Sequence, residues 1–135
     1  MVAYNFQPEF AGPIEAGLKR STIRPNGKRR HARAGEELQL YTGLRTRSSR
    51  LLLRVPCERS VPIEIHAKGV WADGVFKTNP AYYTTLAQIE GFANFGNLQA
   101  WFDRRYGLPV CDMTQIVWDP AQALSGPETA DPGAS

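Results

Sequence analysis

Apolar and polar positions alternate most regularly in the middle of the chain. In "EELQLYTG" Leu38 and Leu40 alternate with polar neighbours, the pattern of a half-buried strand. "RLLLRVPCERSVPIEI" (residues 50–65) carries the same character further and predicts one long strand, or two strands broken near Pro56. "IHAKGVWADGVF" predicts a hairpin with Asp73-Gly74 as its two-residue turn, because both central positions of such a turn need positive φ. "TQIVWD" predicts a last strand.

The pattern around this block is helical. In "YNFQPEFAGPIEAG", Phe6, Phe10 and Ile14 recur every four residues, the spacing of one helical face, with Pro13 limiting its regularity and Gly17 stopping it. "KRSTIR" predicts a short extended segment, since Pro25 disfavours a helical Arg24. "PNGKRRHARAG" joins turn formers to cations and predicts an exposed loop. Asn79-Pro80 predicts an N-cap and first helical position, opening a helix through "AYYTTLAQIEGF" that Gly91 ends. "GNLQAWFDRRYG" predicts a second helix with Leu98, Trp101, Phe102 and Tyr106 on one face and Gly107 as its stop.

The order is helix, several strands, two helices, final strand. Strands are not interleaved with helices, which argues against a doubly wound parallel sheet. The expected fold class is α+β: a small, curved, mostly antiparallel sheet or barrel of six strands, give or take one, with short helices at its rim. Leu38, Leu40, Leu52 and Ile116 are expected to share one core. At 135 residues the chain is expected to hold one domain over 3–119, and the Pro/Gly-rich stretch 120–135 to be a disordered tail.

Charge adds one feature. The net charge is only +3, yet eleven of the sixteen Lys and Arg residues fall between Gly17 and Arg54, against Glu36 and Glu37 alone. Such asymmetry suggests a footprint for phosphate, nucleic acid or another anion, and the loop from Lys28 to Arg33 is the expected contact for RNA. Cys57 and Cys111 are far apart and form no CxxC, so neither a disulfide framework nor a zinc motif is expected, and with only His31 and His66 a Ser-His-Asp triad is improbable. There is no Walker A sequence, no GxGxxG and no HExxH. The start of the chain has no signal-peptide pattern and no run reaches the roughly 20 apolar residues of a membrane span. A cytoplasmic protein, monomer or weak dimer, without metal, cofactor or membrane, is the expectation.

At "GLKRSTIR" the chain resembles the ASCH domain, a member of the PUA-like superfamily. Gly17, Lys19, Thr22 and Arg24 match its Gly-x-Lys-x-x-Thr-x-Arg pattern, and Gly35 to Tyr41 match the strand the family places next. Phe10 and Ile14 match the short helix before the motif, "AQIEGFANFGNLQAWF" the helical insert and "QIVWD" the closing strand, so the likeness runs from about Phe6 to Trp118. The loop and strand together look like small ASCH proteins of bacteria and their prophages. The resemblance implies a PUA-like β-barrel with a cleft lined by the motif. In one bacterial group it also implies an amidohydrolase that releases the acyl group from N4-acetylcytidine and related N4-acylated cytosines. That group's lysine and threonine fall on Lys19 and Thr22, and its glutamate is best matched by Glu90. The longer basic loop departs from the group.

Lys19 and Thr22 are three apart, so on a strand they would point to opposite faces and on a turn they could converge. A lysine with lowered pKa could then take the proton of the threonine hydroxyl, with Arg20 and Arg24 as perturbing neighbours, and Glu90 could hold the leaving amine. The plain alternative is a surface lysine, a strand threonine and a solvated glutamate. Ser21, Arg24, Arg33, Tyr41 and Arg45 are the substrate-binding candidates: the arginines for bidentate anion contacts, Tyr41 for stacking. Two functions stay open, an N4-acylcytidine amidohydrolase and a non-catalytic RNA- or nucleotide-binding module.

Overall fold

A computed structural model describes residues 1–124. Seven strands form one open, mostly antiparallel sheet: β1 (Val2–Phe6), β2 (Ser21–Pro25), β3 (Glu37–Thr42), β4 (Arg50–His66), β5 (Gly69–Ala72), β6 (Val75–Phe76) and β7 (Val110–Trp118). Three helices accompany it, α1 (Ala11–Glu15), α2 (Pro80–Glu90) and α3 (Phe95–Tyr106). The class is α+β as expected. Among the described residues no ladder joins β1 to β2, so the sheet is open where a barrel would close.

β4 organises the sheet. Its first part pairs β3 as far as Pro56, and from Cys57 onward it pairs β7. It is one continuous strand of 17 residues, and Pro56 marks the change of partner rather than a break. β2 adds to the far edge of β7, and β1 lies parallel to β3. The Asp73-Gly74 turn has φ of 52° and 79°, the positive pair that a two-residue hairpin needs.

The N-terminus differs from the expected helix. Residues 2–6 form β1, with Tyr4 and Phe6 buried and Ala3 and Asn5 exposed, a period of two that overlaps the four-residue spacing of Phe6, Phe10 and Ile14. Only after Pro8 does the chain turn, first through a 3-10 turn at Pro8–Phe10 and then α1. The two later helices keep their expected signals. Asn79 caps α2 by accepting from the Ala81 N–H, and Gly91 closes it at φ 93°. Asn94 caps α3.

Burial divides into two clusters that share β4 and β7. One gathers Tyr4, Phe6, Ile14, Leu38, Leu40, Val55, Ile116 and Trp118, with Leu52 packed against it, so the four expected core residues meet. The other joins Ile23, Ile63, Ile65 and Met113 of the sheet to Leu86, Leu98 and Phe102 of α2 and α3. Burying a side chain of this kind is worth about 1.5–3 kcal/mol, so each helix is held by a few such anchors. Asp119 caps a further 3-10 turn at Pro120–Gln122, and the Leu124 N–H bonds the Arg54 carbonyl. The remainder of the expected tail, 125–135, lies outside the described residues. No helix among them is long and apolar enough to cross a membrane.

Candidate functional site

The motif begins with a turn. Gly17, at φ 76°, ends the helical segment, and the N–H groups of Leu18 and Lys19 both bond the Pro13 carbonyl. The Arg20 N–H bonds the Ile89 carbonyl of α2. Lys19 therefore stands before β2 begins, and the alternation that would separate it from Thr22 on a strand does not apply. "STIR" itself is strand.

Lys19 and Glu90 are both almost fully buried, at 3% and 2% exposure. Lys19 Nζ donates to the Glu90 backbone carbonyl at 2.5 Å and lies 3.7 Å from its carboxylate Oε1. Nζ also sits over the Phe10 ring, 4.7 Å from its centre. Ser21 Oγ donates to the other carboxylate oxygen, Oε2, and accepts from Gln115 Nε2 at 3.2 Å. Burial pulls the Lys19 pKa down to about 8; the Glu90 charge opposes that fall and Arg24 adds to it. A lysine so placed is roughly one-tenth neutral at pH 7 and half neutral near pH 8.

Thr22 and Arg24 occupy one face of β2. Arg24 Nε donates to Thr22 Oγ1 at 2.9 Å and its Nη2 to the Asn5 carbonyl at 2.6 Å, with the guanidinium 4.7 Å from the centre of the Phe6 ring. The Thr22 oxygen thus receives a charge-assisted hydrogen bond while its own proton remains to be given. The ladder fixes one more group. Trp118 N–H bonds the Arg20 carbonyl and Asn26 N–H the Asp112 carbonyl, so the even-numbered residues between them face β7. The Ile23 N–H faces the other edge, which no strand among the described residues covers.

A half-enclosed cavity lies along that edge, at the seam of the two clusters. Lys19, Thr22, Ile23, Arg24 and Glu90 line it, and so do Asn5, Phe6, Gln7 and Phe10 from the N-terminal segment and Phe92, Trp101, Phe102, Arg105 and Tyr106 from α3 and the residues before it. It holds about 510 Å³ of atom-free space, part of it open to solvent. The enclosed part is about 90 Å³, below the roughly 300–1,000 Å³ of small-molecule sites, so a ligand would seat one end here and extend toward solvent. A buried amine, a carboxylate and a hydroxyl thus line it together with apolar and aromatic walls.

The sequence candidates separate here. Lys19, Thr22, Glu90 and Arg24 meet at the cavity. Ser21 lies behind it, fully buried against Glu90, and holds the carboxylate rather than a ligand. Arg33, Tyr41 and Arg45 do not line it. Arg33 is in the exposed loop, where its N–H bonds Glu36; Tyr41 donates its hydroxyl to Gln39 Oε1 at 3.1 Å; Arg45 sits in the turn after β3 at φ 70°. Charge counted along the chain locates a surface, and that surface is a different one. Trp101 and Tyr106 read as one apolar helix face in the sequence, and Phe92 and Arg105 carry no motif, so nothing in the sequence pointed to them as lining residues. Among the described residues no group of three metal-ligating side chains gathers at the cavity; Glu64, His66 and Cys111 come together elsewhere. Compared with known proteins, the chain matches no family model, no curated protein and no solved structure.

Proposed function

We propose that the chain is an amidohydrolase acting on N4-acylated cytosine nucleosides of the N4-acetylcytidine type, built as a PUA-like ASCH domain. One observation carries the reading: Lys19, Thr22 and Glu90, the last 68 residues from Thr22 in sequence, line a single cavity, with the lysine buried and its pKa lowered to about 8. A surface lysine and a solvated glutamate would have no reason to be buried together.

In this mechanism neutral Lys19 takes the Thr22 hydroxyl proton as the oxygen attacks the acyl carbonyl. Arg24, donating to the same oxygen, stabilises its developing negative charge. The Ile23 N–H, turned to the open edge of β2, is the donor for the tetrahedral oxyanion. The carbon–N4 bond breaks as Lys19 returns its proton to the amine, leaving an acyl ester on Thr22. Glu90 holds the N4 amino group. Water, deprotonated by Lys19, then cleaves the ester to give the carboxylic acid and the free hydroxyl. Trp101, Tyr106 and Phe92 provide flat apolar walls for a pyrimidine. The test is to incubate the purified chain with N4-acetylcytidine and follow loss of the acylated chromophore together with release of cytidine. Turnover is expected; none at any pH between 6 and 10 would overturn the reading.

A second reading, a non-catalytic RNA-binding module, is favoured by a separate surface. Arg29, Arg30, Arg33 and Arg59 border a shallow groove around the loop before β3. Arg30 is already held by Glu36 through both carboxylate oxygens, at 2.8 and 2.6 Å, and Arg59 stands 3.9 Å from Glu58, so Arg29 and Arg33 are the cations best placed to meet phosphates. Binding of single-stranded RNA whose salt dependence flattens when Lys28, Arg29 and Arg33 become Ser, in a chain without turnover, would select this reading.

A further inference from the structure

β4 and β7 bring three unlike side chains to one patch outside the cavity. Glu64 and His66 are two apart on β4 and share a face, the one opposite the buried Ile63 and Ile65. On β7 the register passes from Met113, opposite Ile63, to Val110, opposite Ile65, so Cys111 and Asp112 together face Glu64. This is a β-bulge, with Asp112 at φ 57°. Val110 and Met113 both point into the core across it, and Cys111 is turned outward beside Glu64. As a result one ligand atom from each of Glu64, His66 and Cys111 lies within 4.8 Å of the others. His66 Nε2 and Glu64 Oε1 are 2.8 Å apart. Asp112 is held aside, accepting from Asn26 Nδ2 at 2.8 Å.

We propose that Glu64, His66 and Cys111 form a binding site for a thiophilic divalent cation of the Zn²⁺ class. A thiolate, an imidazole and a carboxylate are the donor types that Zn²⁺ takes, and three protein ligands leave a fourth position to solvent. Ligands about 2.0–2.3 Å from one tetrahedral ion stand between 3 and 4 Å from each other, roughly the spread already present, so small side-chain rotations close the site. Mg²⁺ and Ca²⁺ prefer all-oxygen sets, which this is not. Both strands are anchored: Ile63, Ile65, Val110 and Met113 are core, and Gln99 Nε2 of α3 donates to the His66 carbonyl at 2.9 Å.

Trp71 pairs with Glu64 across β4 and β5 and is 43% exposed, which makes it a reporter for the patch. The chain, freed of metal with a chelator, is titrated with Co²⁺. One equivalent is expected to bind, with a sulfur-to-cobalt charge-transfer band and quenching of fluorescence that Trp71→Phe removes; Zn²⁺ should displace it and Mg²⁺ should not. Cys111→Ser should abolish the band, and His66→Gln or Glu64→Gln should weaken binding by about tenfold or more. All three side chains face outward, so these variants are expected to keep the parent melting temperature. No saturable binding by the parent chain, or binding and band unchanged in Cys111→Ser, would overturn the site. The readout is independent of turnover of any nucleoside.

Discussion

Lys19 Nζ bonds the main-chain carbonyl of Glu90 at 2.5 Å and stands 3.7 Å from the carboxylate of the same residue. Glu90 is the last residue of α2, so the buried amine meets both a side-chain anion and the negative end of a helix. The two interactions favour the ammonium, and burial, the larger effect, favours the amine. A buried ion pair is weak evidence for stability, because desolvation offsets most of its attraction. Its consequence here is a lysine poised to exchange a proton near pH 8.

The acid limb of the kcat/KM profile is therefore expected near pH 8, with turnover rising as Lys19 loses its proton. In Glu90→Gln the charge that raises the Lys19 pKa is gone, so the residual activity should carry its acid limb to lower pH. A limb that stays in place, or moves upward, would exclude Lys19 as the base.

Stability should follow the same group. The folded pKa of Lys19, about 8, is below the ordinary 10.5, so the unfolded chain binds more protons between those values. Stability contributed by this group thus rises with pH across that window, by roughly 3 kcal/mol for a shift of this size. Urea midpoints of the parent and of Lys19→Met, compared at pH 7.5 and 10, isolate it: the parent should gain on Lys19→Met as pH rises.

Ser21 is a positioning residue whose loss is readable apart from chemistry. Its hydroxyl donates to Glu90 Oε2 and accepts from Gln115, with all three side chains buried. Ser21→Ala leaves a carboxylate oxygen and an amide N–H without that partner, at a cost of about 1–3 kcal/mol. A lowered urea midpoint together with a reduced kcat is expected. A midpoint unchanged within error would show that the network is not coupled to folding.

Much of the frame was legible because local chemistry decided it. Asn79-Pro80 and Gly91 bracket α2 whatever packs against it, and Gly17 marks the turn that frees Lys19 from strand alternation. β1 was hidden because Phe6 belongs to two periodicities at once, and the strand won once Tyr4 and Phe6 could both enter the core. Tyr41 and Arg45 lie away from the cavity for a different reason: composition reports which charges and rings exist, not which edge of a sheet they reach. The Cys111 bulge has no sequence signature, since a one-residue change of register between β4 and β7 is set by long-range pairing.

Gly91 links the end of α2 to the amine. It holds φ 93°, and a Cβ there would come within 3.3 Å of Lys19 Cδ. Gly91→Ala should lose about 1–2 kcal/mol from the left-handed backbone, with a fall in kcat from the displaced lysine. Gly91→Asn tolerates that backbone better and should recover part of the stability while keeping the Cβ contact. Full recovery of both in the asparagine variant would show that Lys19 yields without consequence.

Thr22 and Arg24 separate nucleophile from electrostatic partner. Thr22→Ala removes the oxygen that attacks in the proposed mechanism and should reduce N4-acetylcytidine turnover by orders of magnitude, whereas Thr22→Ser keeps the oxygen and should retain a measurable fraction. Arg24→Lys keeps a charge but cannot donate to both Thr22 Oγ1 and the Asn5 carbonyl from its place over the Phe6 ring. Its loss should appear in kcat more than in KM, because the contact is to the reacting oxygen and not to the pyrimidine. Mass spectrometry of the chain quenched during turnover offers the direct check: an acyl adduct on Thr22 in the parent and in Thr22→Ser, none in Thr22→Ala. Turnover without an adduct, undiminished in Thr22→Ala, would mean that water attacks the carbonyl directly and that Lys19 serves as its base.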